Sequence, residues 1–396
     1  MLLKINSEQL NKTIASIGAH PASLLIFENK AEIIPFKLID VRTPAANVIK
    51  QEMLACGGDA VTPVSTILNK DKYVDVLLLG TRKHYNILIK KLETMGFFGM
   101  SAIAQELTAA LHPEALCTKL ADGRIFTYEK MRVMGILNVT PDSFYSGSRV
   151  DIDSIVKKAG EMLSAGADIL DIGGESTRPG SDSVTQEEEA RRVLPAIEAI
   201  RKAYPQAIIS IDTYRSEVAE AAVMRGADII NDISAMENDK NMLKTVIRMN
   251  APIILMHMKG NPKNMQDNCE YKDVVSEVAT YLNNRANLLR EKGIGPDKII
   301  LDPGIGFAKN VEQNLLLMRD IKTLTSFGYP VLLACSRKST IGKVLGDIPA
   351  EARLAGTIAT SCQAVYAGVQ LVRVHDVKEN VEAIRMLEAI KCARNY

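Results

Sequence analysis

The sequence predicts an α/β protein with two domains, a (β/α)8 TIM barrel and, before it, a smaller α/β domain of the α+β kind. The first observation is the length, because 396 residues exceed what one ordinary compact domain holds. The second is an alternation of short apolar runs with longer amphipathic segments in the larger, C-terminal part of the chain. The third is that eight such runs occupy roughly 265 residues, which is the usual size of such a barrel. A doubly wound sheet shows the same alternation, but the strand count and the length fit closure at eight.

The eight apolar runs are, in order, RVMGILNV, ADILDIGG, AIISIDT, ADIINDIS, PIILMHM, KIILDPG, PVLLACS and QLVRVHD. Each has the length of a strand and is nearly uniformly apolar, as expected for strands that are buried on both faces of a parallel sheet. Segments with helical periodicity lie between them, for example DIDSIVKKAGEMLSAG and TQEEEARRVLPAIEAIRKAY, and KENVEAIRMLEAIKCARNY follows the eighth run. Each predicted strand is therefore followed by a predicted helix.

Residues 1–128 form the predicted N-terminal domain, and residues 129–396 form the predicted barrel. In the first domain, SLLIFENKAEIIPFKL and VDVLLLGT are interpreted as strands, and TPAANVIKQEMLACG and RKHYNILIKKLETMG as helices. The boundary is placed within Ala121–Lys130, where an Asp-Gly pair supplies turn chemistry. No function is assigned to this domain.

The amino-acid composition disfavours several classes of binding partner. The net charge is +1 and there is no Trp, which disfavours nucleic acid and base stacking. No stretch offers about 18 consecutive apolar residues, so we expect no membrane span. The six cysteines form no CxxC pair, and the first residues lack an apolar signal sequence, so we expect reduced thiols and a cytoplasmic protein.

A polar side chain stands at or just after the C-terminal end of every predicted strand. These residues are Asn138, Asp171, Asp212, Asn231, His257, Asp302, Lys338, Arg373 and His375. In a parallel barrel these strand ends meet on one face, where the active sites of such barrels are built. The alternative is that strands end in ordinary polar loops, which does not account for so many Asp, Asn, Arg and Lys residues.

Each group also has a structural alternative. The Asn138 amide oxygen suits a hard cation such as Mg²⁺, but it equally suits an Asx turn. Asp212, Asn231 and Asp302 together suit the edge of a flat heterocycle or acid–base chemistry, although any one of them alone suits hydrogen bonding to a loop. His257 is interpreted as a core residue.

The groups after strands seven and eight suit a bound phosphate. Lys338, Arg373 and His375 stand where many barrels of this kind bind phosphate, and together they suit a diphosphate. In the ESTRPG segment, Thr177 and Arg178 offer donors for an anion, although a mobile polar loop has the same composition.

Taken together, MGILNVTPDSF, DIGGESTRPG, IDT, INDISA, MHMKGNP, DPGIGFAKN, SRKS and VRVHDV resemble, in this order, the dihydropteroate synthase family. The resemblance runs from Met131 to the C-terminus. It implies a (β/α)8 barrel, commonly a homodimer, that condenses 6-hydroxymethyl-7,8-dihydropterin diphosphate with para-aminobenzoate. The first loop, DSFYSGSR, departs from the family's usual Asp-Gly-Gly stretch, and Ile305 and Ala308 replace a common Phe and Gly.

The resemblance also implies a role for particular residues. Hydrogen bonds to the pterin are expected from Asp212, Asn231, Asp302 and Lys338, with Ile233, Met256 and Phe307 packing around the ring. The diphosphate is expected on Asn138 (through Mg²⁺), Arg373 and His375, and the aminobenzoate near Thr177, Arg178, Pro179 and Ser339. Of these, Asp212, Asp302, Lys338 and Arg178 are the predicted catalytic residues.

Two alternatives remain at this point. A pterin-binding methyltransferase that uses methyltetrahydrofolate and a corrinoid partner shares the Asp and Asn positions, but it does not need SRKS and VRVHDV as a diphosphate clamp. A non-catalytic pterin-binding protein would be expected to have lost at least one of the predicted diphosphate or catalytic residues.

Overall fold

The structure is a computed structural model that describes residues 2–3, 5, 10–139, 145–146, 149–175, 184–260 and 269–393. The chain forms two compact units that divide between Glu114 and Ala115. The predicted boundary between residues 128 and 129 therefore lies C-terminal to the observed one. The reason is a hairpin that packs on the N-terminal end of the barrel, described below.

The N-terminal unit is a small α+β domain, as the sequence predicts. Its elements are α1 (Leu10–Ser16), α2 (Ala22–Glu28), β1 (Ile34–Arg42), α3 (Thr43–Ala55), β2 (Asp59–Val61), β3 (Tyr73–Gly80), α4 (Arg82–Glu93) and α5 (Met100–Leu111), with a 3-10 turn at Val64–Thr66. The three strands form an antiparallel sheet in the order β1–β3–β2. Its core is centred on Ile49, Leu78, Tyr85 and Leu88, which are fully buried.

One predicted strand in this unit is wrong in part. SLLIFENKAEIIPFKL is a helix over Ala22–Glu28 followed by the strand Ile34–Arg42. The first half of this run is apolar but lacks the polar–apolar alternation of a half-buried strand, and such a run fits a helix equally well. Tyr85 Oη donates to the Ile34 carbonyl at 2.6 Å and holds the start of β1 on the core.

The second unit contains the predicted barrel. Its strands are β4 (Cys117–Lys119), β5 (Ile125–Thr127), β6 (Arg132–Asn138), β7 (Tyr145–Ser146), β8 (Arg149–Val150), β9 (Ile169–Gly173), β10 (Ile208–Asp212), β11 (Ile229–Asp232), β12 (Ile253–Met256), β13 (Ile299–Asp302), β14 (Leu332–Leu333) and β15 (Leu371–Val374). Its helices are α6 (Ile152–Ser164), α7 (Gln186–Ala203), α8 (Ser216–Met224), α9 (Met242–Met249), α10 (Val274–Glu291), α11 (Val311–Arg319), α12 (Lys322–Thr325), α13 (Ser339–Val344), α14 (Leu354–Ala367) and α15 (Val377–Lys391). Short 3-10 turns occur at Pro296–Lys298 and Ala350–Ala352.

Eight of these strands form one parallel sheet in the order β13–β12–β11–β10–β9–β6–β15–β14. A parallel bridge between Leu301 and Val331 joins the two ends of that order and closes the ring. Each of the eight apolar runs contributes one strand, so the predicted (β/α)8 fold is confirmed.

The hairpin β4–β5 covers the N-terminal end of the barrel. Leu120 and Phe126 pack against the first interior layer of the strands, in which Ile229 and Ile300 are fully buried. Lys298 Nζ donates to the Leu120 carbonyl at 3.1 Å. Because the hairpin completes the barrel core, it belongs to the second unit, and this moves the boundary back to residue 114.

Side-chain caps place the starts of several barrel helices. Asp151, Thr185, Asp273 and Asn310 each accept a hydrogen bond from a backbone N–H of the following first turn. At Asn310 the Gln313 side chain completes a capping box, so α11 begins directly after the DPGIGFAKN loop. In the part of the chain that the structure describes, no helix is long and apolar enough to cross a membrane.

Candidate active site

A cavity of about 270 Å³ opens among the C-terminal ends of the barrel strands. The described residues that line it are Ile136, Asn138, Glu175, Asp212, Gly306, Phe307, Ala334, Ser336, Arg337, Lys338, Ser339, Ala350, Arg353, Arg373 and His375. This set includes predicted residues for all three roles, namely pterin, diphosphate and aminobenzoate. The structure therefore has a cavity on the face where the sequence predicts the active site.

Arg373 lies at the centre of this face and joins two carboxylates. Its Nε donates to Asp171 at 2.6 Å, and its Nη2 donates to Asp212 at 2.7 Å. Asp171 is fully buried and also accepts from Asn231 Nδ2 at 3.2 Å. Asp171 was noted in the sequence only as a polar strand end, yet it orients both Arg373 and Asn231.

Asp212 and Asp302 are the two predicted catalytic carboxylates, and both have raised pKa values. Burial is the main cause in each case, because it disfavours the charged form. The Arg373 guanidinium opposes the rise at Asp212, and the Lys338 ammonium opposes it at Asp302. Asp302 is also held in place by the Gly304 N–H, which donates to it at 2.7 Å.

Lys338 crosses from the loop after β14 to the loop after β13. Its Nζ donates to the Ile305 carbonyl and lies 4.8 Å from the centre of the Phe307 ring. Burial lowers its pKa, and the charge of Asp302 opposes this shift. Gly306 has a φ of +83°, and a Cβ there would come within 3.2 Å of the Lys338 side chain, so a glycine suits this position.

A compact apolar cluster adjoins these charged groups. It consists of Ile233, Met256, Met258, Phe307 and Ala308, all buried. Three of its members are the residues predicted to pack around a flat ring. Such a cluster beside fixed donors and acceptors is typical of a site for a small heterocycle.

Four predicted pterin residues do not line the cavity in the described part of the structure. Asn231, Ile233, Met256 and Asp302 are each about 4% exposed or less. The Asn231 amide donates a hydrogen bond to Asp171, and the Asp302 carboxylate accepts one from the Gly304 N–H.

The predicted diphosphate residue His375 also lines the cavity. His375 Nδ1 lies 2.9 Å from Ser336 Oγ, and the His375 N–H donates to the same oxygen at 3.1 Å. Arg337 and Arg353 also line the cavity, although the sequence analysis gave neither a role. Arg353 Nη1 donates to the Arg337 carbonyl at 2.9 Å and so supports the SRKS turn. No local sequence pattern connects Arg353 with that motif.

Glu175 is another lining residue that sequence reasoning missed. Arg215 Nη1 donates to its carboxylate at 2.8 Å, and Nη2 donates to the Val184 carbonyl at 2.6 Å. Arg215 therefore ties together the last described residues on either side of positions 176–183. Thr177, Arg178 and Pro179 fall in that interval, and the DSFYSGSR loop falls largely in 140–144 and 147–148, so these predictions lie outside the described residues. Ser339, the remaining aminobenzoate residue, is the first residue of α13 and is exposed.

The surroundings of Asn138 fit a magnesium ion. Among the described residues, no hydrogen bond uses the Asn138 side-chain oxygen. The position that a Cβ on Gly173 would take lies 3.5 Å from this oxygen and 3.7 Å from an Asp212 oxygen, so both oxygens face the same small space. Mg²⁺ is usually held by one or two protein oxygens together with water and substrate phosphates. The Asp212 oxygen here is Oδ2, which accepts from Arg373, so the Asn138 amide oxygen is the candidate ligand.

The sequence profile of one protein family, described as pterin binding enzyme, matches residues 134–375. The chain belongs to this family of pterin-binding enzymes. The matched segment contains most of β6, the other seven barrel strands and the cavity residues, and it excludes the N-terminal unit.

Relatives within the family make the assignment more specific. The dihydropteroate synthase of Escherichia coli strain K12 is 43% identical over 275 residues, which are 69% of this chain and 96% of that protein. The dihydropteroate synthase of Xanthomonas albilineans with 4-aminobenzoic acid superimposes with a TM-score of 0.66 at 39% identity, covering 71% of this chain and all of that one. The same enzyme with 7,8-dihydropteroate gives a TM-score of 0.63 at 37% identity, covering 69% and 98%. The chain is a dihydropteroate synthase, a transferase of folate biosynthesis.

Proposed function

We propose that this cavity binds 6-hydroxymethyl-7,8-dihydropterin diphosphate and para-aminobenzoate and condenses them to 7,8-dihydropteroate and diphosphate. The observation that carries the proposal is that one cavity combines groups for each part of the first substrate. Asp212 and Lys338 adjoin the apolar cluster around Phe307, where the ring would lie. Arg373 and His375 offer donors to the diphosphate.

In the proposed reaction, the bond between the pterin methylene carbon and the diphosphate oxygen breaks, and the aminobenzoate nitrogen bonds to that carbon and loses a proton to solvent. Positive charge develops on the pterin as the diphosphate leaves. The buried carboxylates Asp212 and Asp302 stabilise that charge, and Arg373 stabilises the negative charge of the leaving group. Lys338 fixes the ring against Phe307. Arg178, with Thr177, Pro179 and Ser339, is proposed for the aminobenzoate side.

Asn138 is proposed to contribute an oxygen ligand to Mg²⁺. When bound, this ion supplies charge neutralisation for the diphosphate. The chain's own part is to hold the amide oxygen at the end of β6, beside Asp212 and over Gly173.

We further propose a homodimer and a cytoplasmic location. Tyr366 on α14 and Met386 and Ile390 on α15 are large apolar side chains that are 53–63% exposed, and these helices pack together, so they offer a surface for a second copy. A monomeric mass in light scattering would contradict the dimer. The free cysteines support a reducing compartment.

The first test is an assay of diphosphate release from the pterin diphosphate, with and without para-aminobenzoate and Mg²⁺. We expect dihydropteroate to form only with both substrates, and chelation of Mg²⁺ to lower the rate. Pterin binding without turnover would contradict the proposal and would favour the methyltransferase, which methyltetrahydrofolate and a corrinoid protein would then test, or the non-catalytic pterin-binding protein.

The raised pKa values of Asp212 and Asp302 predict how pterin binding depends on pH. The ionised carboxylates accept hydrogen bonds from the ring, so affinity is present above their folded-state pKa values and is lost as the pH falls through them. Because burial raises both values, the midpoint of this loss is expected well above the usual aspartate value of about 3.9. The measurement is the Kd of 6-hydroxymethylpterin against pH, since this ligand has no phosphate that titrates. A midpoint near 4 would contradict the prediction.

A further inference from the structure

Lys309 is a buried lysine that has no role in the proposed reaction. It is 2% exposed, and it follows the DPGIGFA segment directly. Its Nζ lies 2.8 Å from the Phe307 carbonyl, 3.0 Å from the Gly304 carbonyl, and 3.0 and 3.3 Å from His257 Nδ1 and the His257 carbonyl. Among the described residues, no carboxylate lies within ion-pair distance of it.

The ammonium is therefore surrounded by neutral acceptors. Burial lowers the pKa of Lys309 to about 7, against the charge of Asp302, so the ammonium form is present at neutral pH and is favoured below it. In that form the side chain has three N–H donors and no acceptor, so His257 Nδ1 accepts and the imidazole carries its proton on Nε2. Burial and the neighbouring cations Lys309 and Lys259 lower the pKa of His257 to about 2, which keeps the ring neutral. The ring packs edge-on against Tyr281 at 4.9 Å. His257 is thus a buried core residue, as the sequence predicts.

The acceptors belong to two segments that approach each other very closely. His257 follows β12, and Gly304 and Phe307 belong to the loop after β13. A Cβ on Gly304, which has a φ of +68°, would come within 2.0 Å of the His257 carbonyl oxygen. Three carbonyl oxygens converge on one small volume, and the N–H donors of Lys309 satisfy them there.

The same loop carries two parts of the pterin site. The Ile305 carbonyl accepts the hydrogen bond of Lys338, and the Phe307 ring lies under the Lys338 ammonium. Met256, beside Phe307 in the apolar cluster, directly precedes His257. A contact that fixes the distance between the end of β12 and this loop therefore also fixes the positions of Met256 and Phe307 beside the ring.

We propose that Lys309 is a positioning residue for the pterin ring, because its buried ammonium clamps the end of β12 to the Gly304–Phe307 loop and thereby places Phe307, Met256 and Lys338. This inference deepens the proposed function and rests on it for the identity of the ring. Lys309 acts through these residues and is not assigned a contact with substrate.

The test compares Lys309→Met, which keeps an unbranched side chain and removes the ammonium, with Lys259→Met as the matched control. Lys259 is a neighbouring lysine, 36% exposed, whose Nζ lies over the Tyr271 ring, donates to the Glu270 carbonyl and pairs with Glu277. Among the described residues, it makes no hydrogen bond to the Gly304–Phe307 loop. For Lys309→Met we expect the Kd of 6-hydroxymethylpterin and the KM of the pterin diphosphate to rise about tenfold or more, since a charge-assisted hydrogen-bond cluster is lost. The KM of para-aminobenzoate should change less than about twofold, and the control should leave all three values within the same twofold margin.

A second readout separates positioning from a general loss of structure. Asp302 is faced by the cations Lys338, Arg373 and Lys309, which lower its pKa against the effect of burial. Removing one of them should move the acid midpoint of pterin binding to higher pH. A purely structural role would lower the thermal midpoint and weaken both substrates together, without moving this midpoint.

If Lys309→Met does not fold, the variant His257→Leu tests the role of Lys309 instead. It removes one neutral acceptor and leaves the ammonium in place, and we expect about threefold weaker pterin binding with an unchanged aminobenzoate KM. Wild-type affinity and an unmoved acid midpoint in Lys309→Met, or equal weakening of both substrates, would overturn the inference. If the wild type binds the pterin but makes no dihydropteroate, the proposed function fails separately, and the binding measurements still test Lys309.

Discussion

Replacing Lys338 with methionine is expected to lower kcat/KM for the pterin diphosphate about 100-fold or more. The change removes a charge-assisted hydrogen bond to the Ile305 carbonyl and the cation that offsets the buried Asp302. A hydrogen bond made by a charged group contributes about 1.5–3 kcal/mol, and each 1.4 kcal/mol is about tenfold. Steady-state kinetics with both substrates, together with the Kd of 6-hydroxymethylpterin, measure the effect.

The matched control is Lys343→Met, because Lys343 lies on α13, the helix that begins directly after Lys338, and is exposed. Its kinetics should stay within about twofold of wild type, as is usual for surface substitutions. Unchanged kinetics in Lys338→Met would contradict the proposed place of the ring at the apolar cluster around Phe307, beside Lys338.

A chain that begins at residue 115 is expected to fold and to retain synthase activity, whereas a chain that begins at residue 129 is expected to be strongly destabilised. The second truncation removes the β4–β5 hairpin, including Leu120 and Phe126, and uncovers the first interior layer of the barrel. Losing large buried side chains costs about 2–5 kcal/mol each. For a unit of this size, about 5 kcal/mol lowers the thermal midpoint by roughly 10–20 °C.

Thermal unfolding by circular dichroism and the yield of soluble protein distinguish the two chains. Phe126→Ala in the chain that begins at residue 115 serves as the intermediate case, with a midpoint between the other two. Equal stability of the two truncations would show that the hairpin is not part of the barrel core. Failure of the longer chain to fold would show instead that the barrel needs the N-terminal unit.

Much of the barrel could be predicted because its signals are local. A strand buried on both faces is a short apolar run, and a polar residue stands at its C-terminal end, as at Asn138, Asp212 and Asp302. These signals need no knowledge of distant partners. The helix Ala22–Glu28 shows the limit, since an apolar run without alternation fits a helix or a strand, and packing decides between them.

The sequence by itself determined the fold class, the face that carries the site and, through its ordered motifs, the family. Only the tertiary structure decided which of those polar groups meet. Asp171 and Arg373 are 202 residues apart and form an ion pair. Lys309 resembles any surface lysine in the sequence, yet the closed barrel buries it among carbonyl oxygens. Likewise, the hairpin at residues 117–127 belongs to the barrel because its apolar side chains cover the open end of the strands. Burial and ion pairing depend on distances between segments that are remote in the chain, and local periodicity contains no information about those distances.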